Sequence, residues 1–140
     1  MKHYIGLDAH STTCTFVIVN EHGKTTDSIE VETNEAALLK FVRSVPGSKM
    51  LAMEVSNISK WLFALLKDEV EEMVVCDPGS LHRKKGKKSD FLDGERLAQM
   101  LRGGFLKPIF HEDSFFYDLR RVVNSYRVLV WEIAAQKCRY

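Results

Sequence analysis

The hydrophobic period of this chain changes once, and that change restricts the folds open to it. Up to residue 32 the pattern repeats every two residues, as in strands with alternating faces; past Asn34 it becomes helical spacing interrupted by short apolar runs. Residues 2–8, 12–20 and 25–32 are expected strands. The second is rich in β-branched residues (Thr12, Thr13, Thr15, Val17, Ile18, Val19), and Glu21-His22-Gly23-Lys24 is a turn before the third. The third alternates Thr26, Ser28, Glu30 and Glu32 with Ile29 and Val31, which puts one face in water. Short connections make the three an antiparallel meander.

Asn34 is a helix N-cap in this reading, followed by Ala37, Leu38, Phe41, Val42 and Val45 at helical spacing and stopped by Pro46-Gly47. Residues 49–55 form a fourth strand and 58–67 a helix that buries Trp61, Leu62, Leu65 and Leu66. Residues 72–77 form a fifth strand, closed by Pro78-Gly79. Strands alternating with helices of this length pair in parallel through right-handed crossovers. The expected class is α/β, with a mixed five-stranded sheet and flanking helices. Residues 81–88 read as an exposed basic loop or frayed helix. Ser89 then caps a helix to about residue 102, with Phe91, Leu92, Leu97, Ala98 and Leu101 as apolar positions, and Gly103-Gly104 stops it. An extended link with Pro108 leads to a long C-terminal helix from Asp113. There Phe116, Leu119, Val123, Tyr126, Val130 and Ile133 alternate in steps of three and four, a heptad-like seam.

Charge distribution says more than net charge. The sum is only +1, yet Arg83, Lys84, Lys85, Lys87 and Lys88 crowd together. Cys14, Cys76 and Cys138 are odd in number and widely spaced, with neither zinc spacing nor a disulfide framework. No secretory leader pattern and no apolar run near membrane length occurs, so the expected setting is cytoplasmic, with no membrane partner.

The residues placed for chemistry are carboxylates. Asp8 ends the strand Tyr4-Ile5-Gly6-Leu7-Asp8, and Glu54 ends the fourth strand on the face shared with Met50 and Ala52. If the fourth strand lies parallel beside the first, these ends are neighbours, at the strand ends where ligand sites of such sheets lie. Asp90 and Asp93, three apart in the first turn of a helix, project to one side. Four carboxylates suit hard divalent cations, and two such ions can clamp the attacking and leaving oxygens of a phosphodiester. Each acid also has a plainer use: Asp90 and Asp93 suit a helix dipole, worth about 0.3–1 kcal/mol each. Asp8 can form a turn, Glu54 can begin a loop, and the basic run can be a solvated stretch.

Together, Tyr4-Ile5-Gly6-Leu7-Asp8-Ala9-His10, Leu51-Ala52-Met53-Glu54-Val55-Ser56 and Lys88-Ser89-Asp90-Phe91-Leu92-Asp93-Gly94-Glu95-Arg96-Leu97-Ala98, with Leu101-Arg102-Gly103-Gly104 after it, resemble the DEDD transposases of bacterial insertion sequences. These are relatives of the Piv-type DNA invertases. The resemblance covers nearly the whole chain in order and spacing. It implies a ribonuclease H-like, RuvC-like catalytic domain over residues 1–110. Residues 111–140 would then be the start of a coiled-coil or dimerisation helix. It also implies Asp8, Glu54, Asp90 and Asp93 as a catalytic tetrad binding Mg²⁺ or Mn²⁺. Gly94 stands where the family usually has Ala.

Family members continue past the coiled coil into a domain with a catalytic serine, so this chain reads as the N-terminal catalytic piece, expected to be inactive alone. The implied activity is Mg-dependent DNA strand cleavage and transfer in transposition. DNA is the implied partner, together with a structured guide RNA and a second copy of the chain, as a homodimer or higher oligomer. Arg83, Lys84, Lys85, Lys87 and Lys88 are the expected nucleic-acid contacts. Two other readings stand beside this one. The first is a stand-alone Holliday-junction-type nuclease using the tetrad with water. The second is a non-enzymatic RNA-binding and dimerisation module. An actin-like or sugar-kinase ATPase also opens with a strand and an Asp, but this chain is too short for two lobes and shows no second glycine-rich phosphate loop.

Overall fold

Alternation between two faces decides where each residue of the N-terminal strands goes. The computed structural model describes residues 1–77, 89–109 and 115–138. Strands β1 (Lys2–Ala9), β2 (Thr13–Asn20) and β3 (Thr25–Glu32) pair antiparallel in that order, with Leu7 opposite Phe16 and Phe16 opposite Ile29. Strands β4 (Ser48–Glu54) and β5 (Glu72–Cys76) add in parallel on the other side of β1, giving the order β3-β2-β1-β4-β5. The sheet is mixed and five-stranded, as the change of period requires.

The connections are helical where the spacing turns helical. Helix α1 (Glu35–Ser44) starts at Asn34, whose side chain accepts a 2.8 Å hydrogen bond from the Ala37 amide. Helix α2 (Ser59–Leu66) is shorter and ends in a 3₁₀ turn, Lys67–Glu69. Both helices cover one face of the sheet. Ile5, Leu7, Phe16, Leu51 and Met53 meet Leu38, Val42, Leu62 and Leu66 there in a single core, all at most 1% exposed. Full burial of each such side chain contributes about 1.5–3 kcal/mol. Trp61, expected inside, is 40% exposed. Leu62 and Leu66 form the inward stripe of this short helix, and Trp61 lies about a quarter turn off it.

Helix α3 (Asp90–Gly103) covers the opposite face. Ser89 caps it by accepting from the Leu92 amide at 3.2 Å, and Gly104 ends it in the left-handed region at φ 70°. Its inward stripe is Gly94, Leu97, Ala98 and Leu101. Phe91 and Leu92, expected among its buried positions, are 39% and 50% exposed: Leu92 faces away from that stripe, and Phe91 lies at its edge in the first turn of the helix.

Two glycines set how close α3 comes to the sheet. A Cβ on Gly6 would lie 1.8 Å from the Gly94 carbonyl oxygen and 2.8 Å from the Ala98 nitrogen. One on Gly94 would meet a Val17 methyl at 2.8 Å. Nearer its C-terminal end, Gln99 donates to the Gly23 carbonyl at 2.7 Å, and Thr25 donates to Glu95 at 2.5 Å. The helix is thereby pinned to the β2–β3 hairpin as well as to β1.

The extended link after α3 lies along the outer edge of β5. Pro108 bridges Cys76, and the Ile109 amide donates to the Val75 carbonyl at 2.7 Å. The exposed backbone of the edge strand is thus partly covered. Contacts divide the chain into two units, Met1–Phe110 and His111–Tyr140. The second contains helix α4 (Phe115–Lys137), on which Leu119, Val123, Tyr126, Val130 and Ile133 are between 41% and 67% exposed. Among the described residues no helix is long and apolar enough to cross a membrane.

The glycine contact gives a direct test. At Gly6 the obstructing atoms are backbone, whereas at Gly94 the obstruction is the tip of a side chain and Ala regains helix propensity. Gly6→Ala should therefore destabilise by about 3 kcal/mol or more, and Gly94→Ala by about 1 kcal/mol or less. Urea denaturation of both variants checks this, and equal costs would contradict the packing described.

Candidate metal centre

Asp8 reaches the end of β1 on the face that carries Gly6, and that face is the one α3 covers. From the contact of Gly6 with Gly94, two residues along the strand advance about 6.7 Å. Four residues back along the helix cover about 6 Å. The two steps are nearly equal and point the same way, because Tyr4 packs near Leu101 at the other end of the contact. The first turn of α3 is therefore carried to the end of β1, and Asp90 arrives beside Asp8.

The closest group of side chains at this corner is Asp8, His10 and Asp90. One ligand atom from each lies within 4.8 Å of the other two. The His10 Nε2 is 3.2 Å from the Asp8 Oδ2 and 3.7 Å from the Asp90 Oδ2. Asp8 is the most enclosed of the three, with 21% of its side chain exposed against 44% and 47% for His10 and Asp90. Burial pushes the Asp8 carboxyl above its ordinary value. Its attraction to His10 and their hydrogen bond oppose that rise, while the negative charges of Asp90 and Asp93 add to it. Asp93 is thus close enough to be felt at Asp8, although it is outside the tight group.

Glu54 stands one strand over. The last pair of the β1–β4 register is Leu7 with Met53, so Glu54 is the next step along β4, level with Asp8. It also pairs with Cys76 across the β4–β5 ladder. The Cys76 thiol is pushed up to about 11, chiefly by burial, with Glu54 and Asp77 adding to it. The structure therefore brings Asp8 and Asp90 together, with Asp93 in electrostatic range. Glu54 is at the same end of the sheet but outside the tight group. The basic residues Arg83, Lys84, Lys85, Lys87 and Lys88 lie outside the described residues.

His10 is the residue that sequence reasoning quoted but gave no role. The signal was present: His10 stands two positions beyond Asp8, where the alternation of the strand would put it on the same side. What the sequence did not show is how firmly its backbone is held. The His10 amide donates to the Thr13 carbonyl at 3.0 Å, and the Thr33 hydroxyl donates to the His10 carbonyl at 2.7 Å.

The residues fit a divalent cation. Oxygen donors from a strand end and a helix start converge, and the Asp8 carboxyl is raised by burial first and then by the neighbouring charges of Asp90 and Asp93. A raised carboxyl binds its proton more tightly in the folded than in the unfolded chain. Ionised Asp8 consequently weakens the metal-free fold once pH rises through the raised value. Asp8→Asn should raise the melting temperature in chelator at neutral pH, and the gain should shrink as pH falls through the carboxylate range. Thermal melts across pH measure this; a lower melting temperature for the variant at neutral pH would contradict it.

Comparison with protein families places residues 5–140 under a family model described as a transposase. A search of curated proteins found no match.

Proposed function

Because the chain belongs to the IS110-type DEDD transposase family, we propose that Asp8, Glu54, Asp90 and Asp93 bind divalent metal for DNA strand cleavage and transfer. The observation that carries the reading is the convergence of Asp8 and Asp90 at one end of the sheet, with Asp93 close enough to add its charge. When bound, Mg²⁺ or Mn²⁺ would supply Lewis-acid stabilisation of charge on the phosphodiester oxygens. Asp8 offers its oxygens from a strand fixed on both sides by neighbours, and its half-buried position keeps part of the water shell away. Asp90 and Asp93 offer theirs from one helical turn, so the packing of α3 on Gly6 sets their distance from Asp8. Glu54 stands at the end of the adjacent parallel strand, level with Asp8, and its side chain is long enough to reach across an interstrand gap of about 4.8 Å.

DNA is the substrate in this reading. Arg83, Lys84, Lys85, Lys87 and Lys88, just before Asp90 in sequence, supply charge for its phosphates. A structured guide RNA is the second nucleic-acid partner that the family resemblance implies. Calorimetry with Mg²⁺ is the first test: Asp8→Asn and Asp90→Asn should each weaken binding by about tenfold or more. Failure of the unaltered protein to bind Mg²⁺ would overturn the reading.

Self-association is proposed for α4. Its apolar residues at steps of three and four are exposed, and a seam of this kind is covered in water by another helix. Sedimentation at tens of micromolar should show a dimer or higher oligomer, and Leu119→Asp or Val123→Asp should yield a monomer. A monomeric unaltered protein would refute the pairing.

A further inference from the structure

We infer that His10 is a direct ligand of the bound cation, making the Asp8–Asp90 position a mixed nitrogen–oxygen site rather than an all-carboxylate one. The inference rests on the metal-binding reading above and deepens it. Three observations support it. One nitrogen, Nε2, faces both carboxylates, at 3.2 Å from Asp8 and 3.7 Å from Asp90. A single N–H satisfies only one acceptor well, so the second approach has no hydrogen-bonding account. A cation shared by the three atoms would bring both carboxylates to the same nitrogen. Neighbouring ligands of an octahedral ion bound at about 2.1 Å stand about 3.0 Å apart, so the approach to Asp8 needs to close by about 0.2 Å and the approach to Asp90 by about 0.7 Å.

The backbone supplies the third observation. Hydrogen bonds on both the amide and the carbonyl of His10 anchor the residue just past the last residue of β1. The imidazole thus issues from a fixed point, as a ligand requires, although its ring is nearly half exposed. As a ligand it would bind through the unprotonated Nε2 while Nδ1 carries the proton.

A nitrogen donor changes which ions the position prefers. Magnesium favours oxygen ligands and keeps its waters, whereas first-row transition ions accept imidazole more readily. The His10 ligand should therefore tilt the site towards Mn²⁺ relative to Mg²⁺. His10→Ala should weaken Mn²⁺ binding by about tenfold and change Mg²⁺ binding much less.

Pulsed electron paramagnetic resonance on the Mn²⁺-loaded protein reads the bond itself. The expected result is a directly bound ¹⁴N coupling in the unaltered protein that disappears in His10→Ala, while Mn²⁺ still binds through the carboxylates. Circular dichroism of His10→Ala confirms that it is folded. Mn²⁺ bound without a ¹⁴N coupling, yet released by Asp8→Asn, would overturn the His10 assignment and leave the carboxylate site standing. A coupling that persists in His10→Ala would also overturn it. No Mn²⁺ binding in the unaltered protein would overturn both.

Discussion

The backbone contact between Gly6 and Gly94 is the constraint on which the rest of the site depends. It removes two side chains from the interface between a central strand and a helix, and the helix backbone comes down against the sheet. From that fixed point, strand rise and helix rise are commensurate over the few residues to the carboxylates. Asp8 and Asp90 meet because a two-residue step along β1 matches a four-residue step along α3. A larger residue at Gly6 would lift the helix and separate the acids, although it touches neither of them.

The opposite face of the sheet supplies the stability that such a corner consumes. Ile5, Leu7, Leu51 and Met53 alternate with Gly6, Asp8, Ala52 and Glu54 along the two central strands. One set packs under α1 and α2, and the other serves the site. A half-buried carboxylate next to two more is unfavourable by itself, and its raised carboxyl records that cost. The apolar core on the far face offsets it. Conflict between charge and burial confined to one corner is the pattern expected where a protein gives up stability for function.

Much of this was legible in the sequence because it depends on period. Five strands, the Asn34 and Ser89 caps, the stop at Gly104 and the meander followed by parallel pairing all follow from alternation, helical spacing and turn residues. The common face of Gly6, Asp8 and the α3 side of β4 follows from the same rule. What periodicity did not give is the angular detail of a helix against its sheet. Trp61 and Phe91 are apolar and lie beside inward stripes centred on other residues, and Leu92 faces away from one, so all three are exposed. Gly94 read as a small variation on Ala, whereas the structure makes it one side of the close backbone contact with Gly6. His10 was given no role for a different reason: its place two positions beyond Asp8 was legible, but its approach to Asp90 depends on a helix eighty residues away, which no local pattern reveals.

Anomalous diffraction from crystals of the protein grown with Mn²⁺ tests the central claim most directly. The account predicts a manganese peak within bonding distance of carboxylate oxygens from both Asp8 and Asp90, with the Gly6–Gly94 contact intact. Manganese bound elsewhere, or Asp90 held away from Asp8 while the metal is bound, would contradict it.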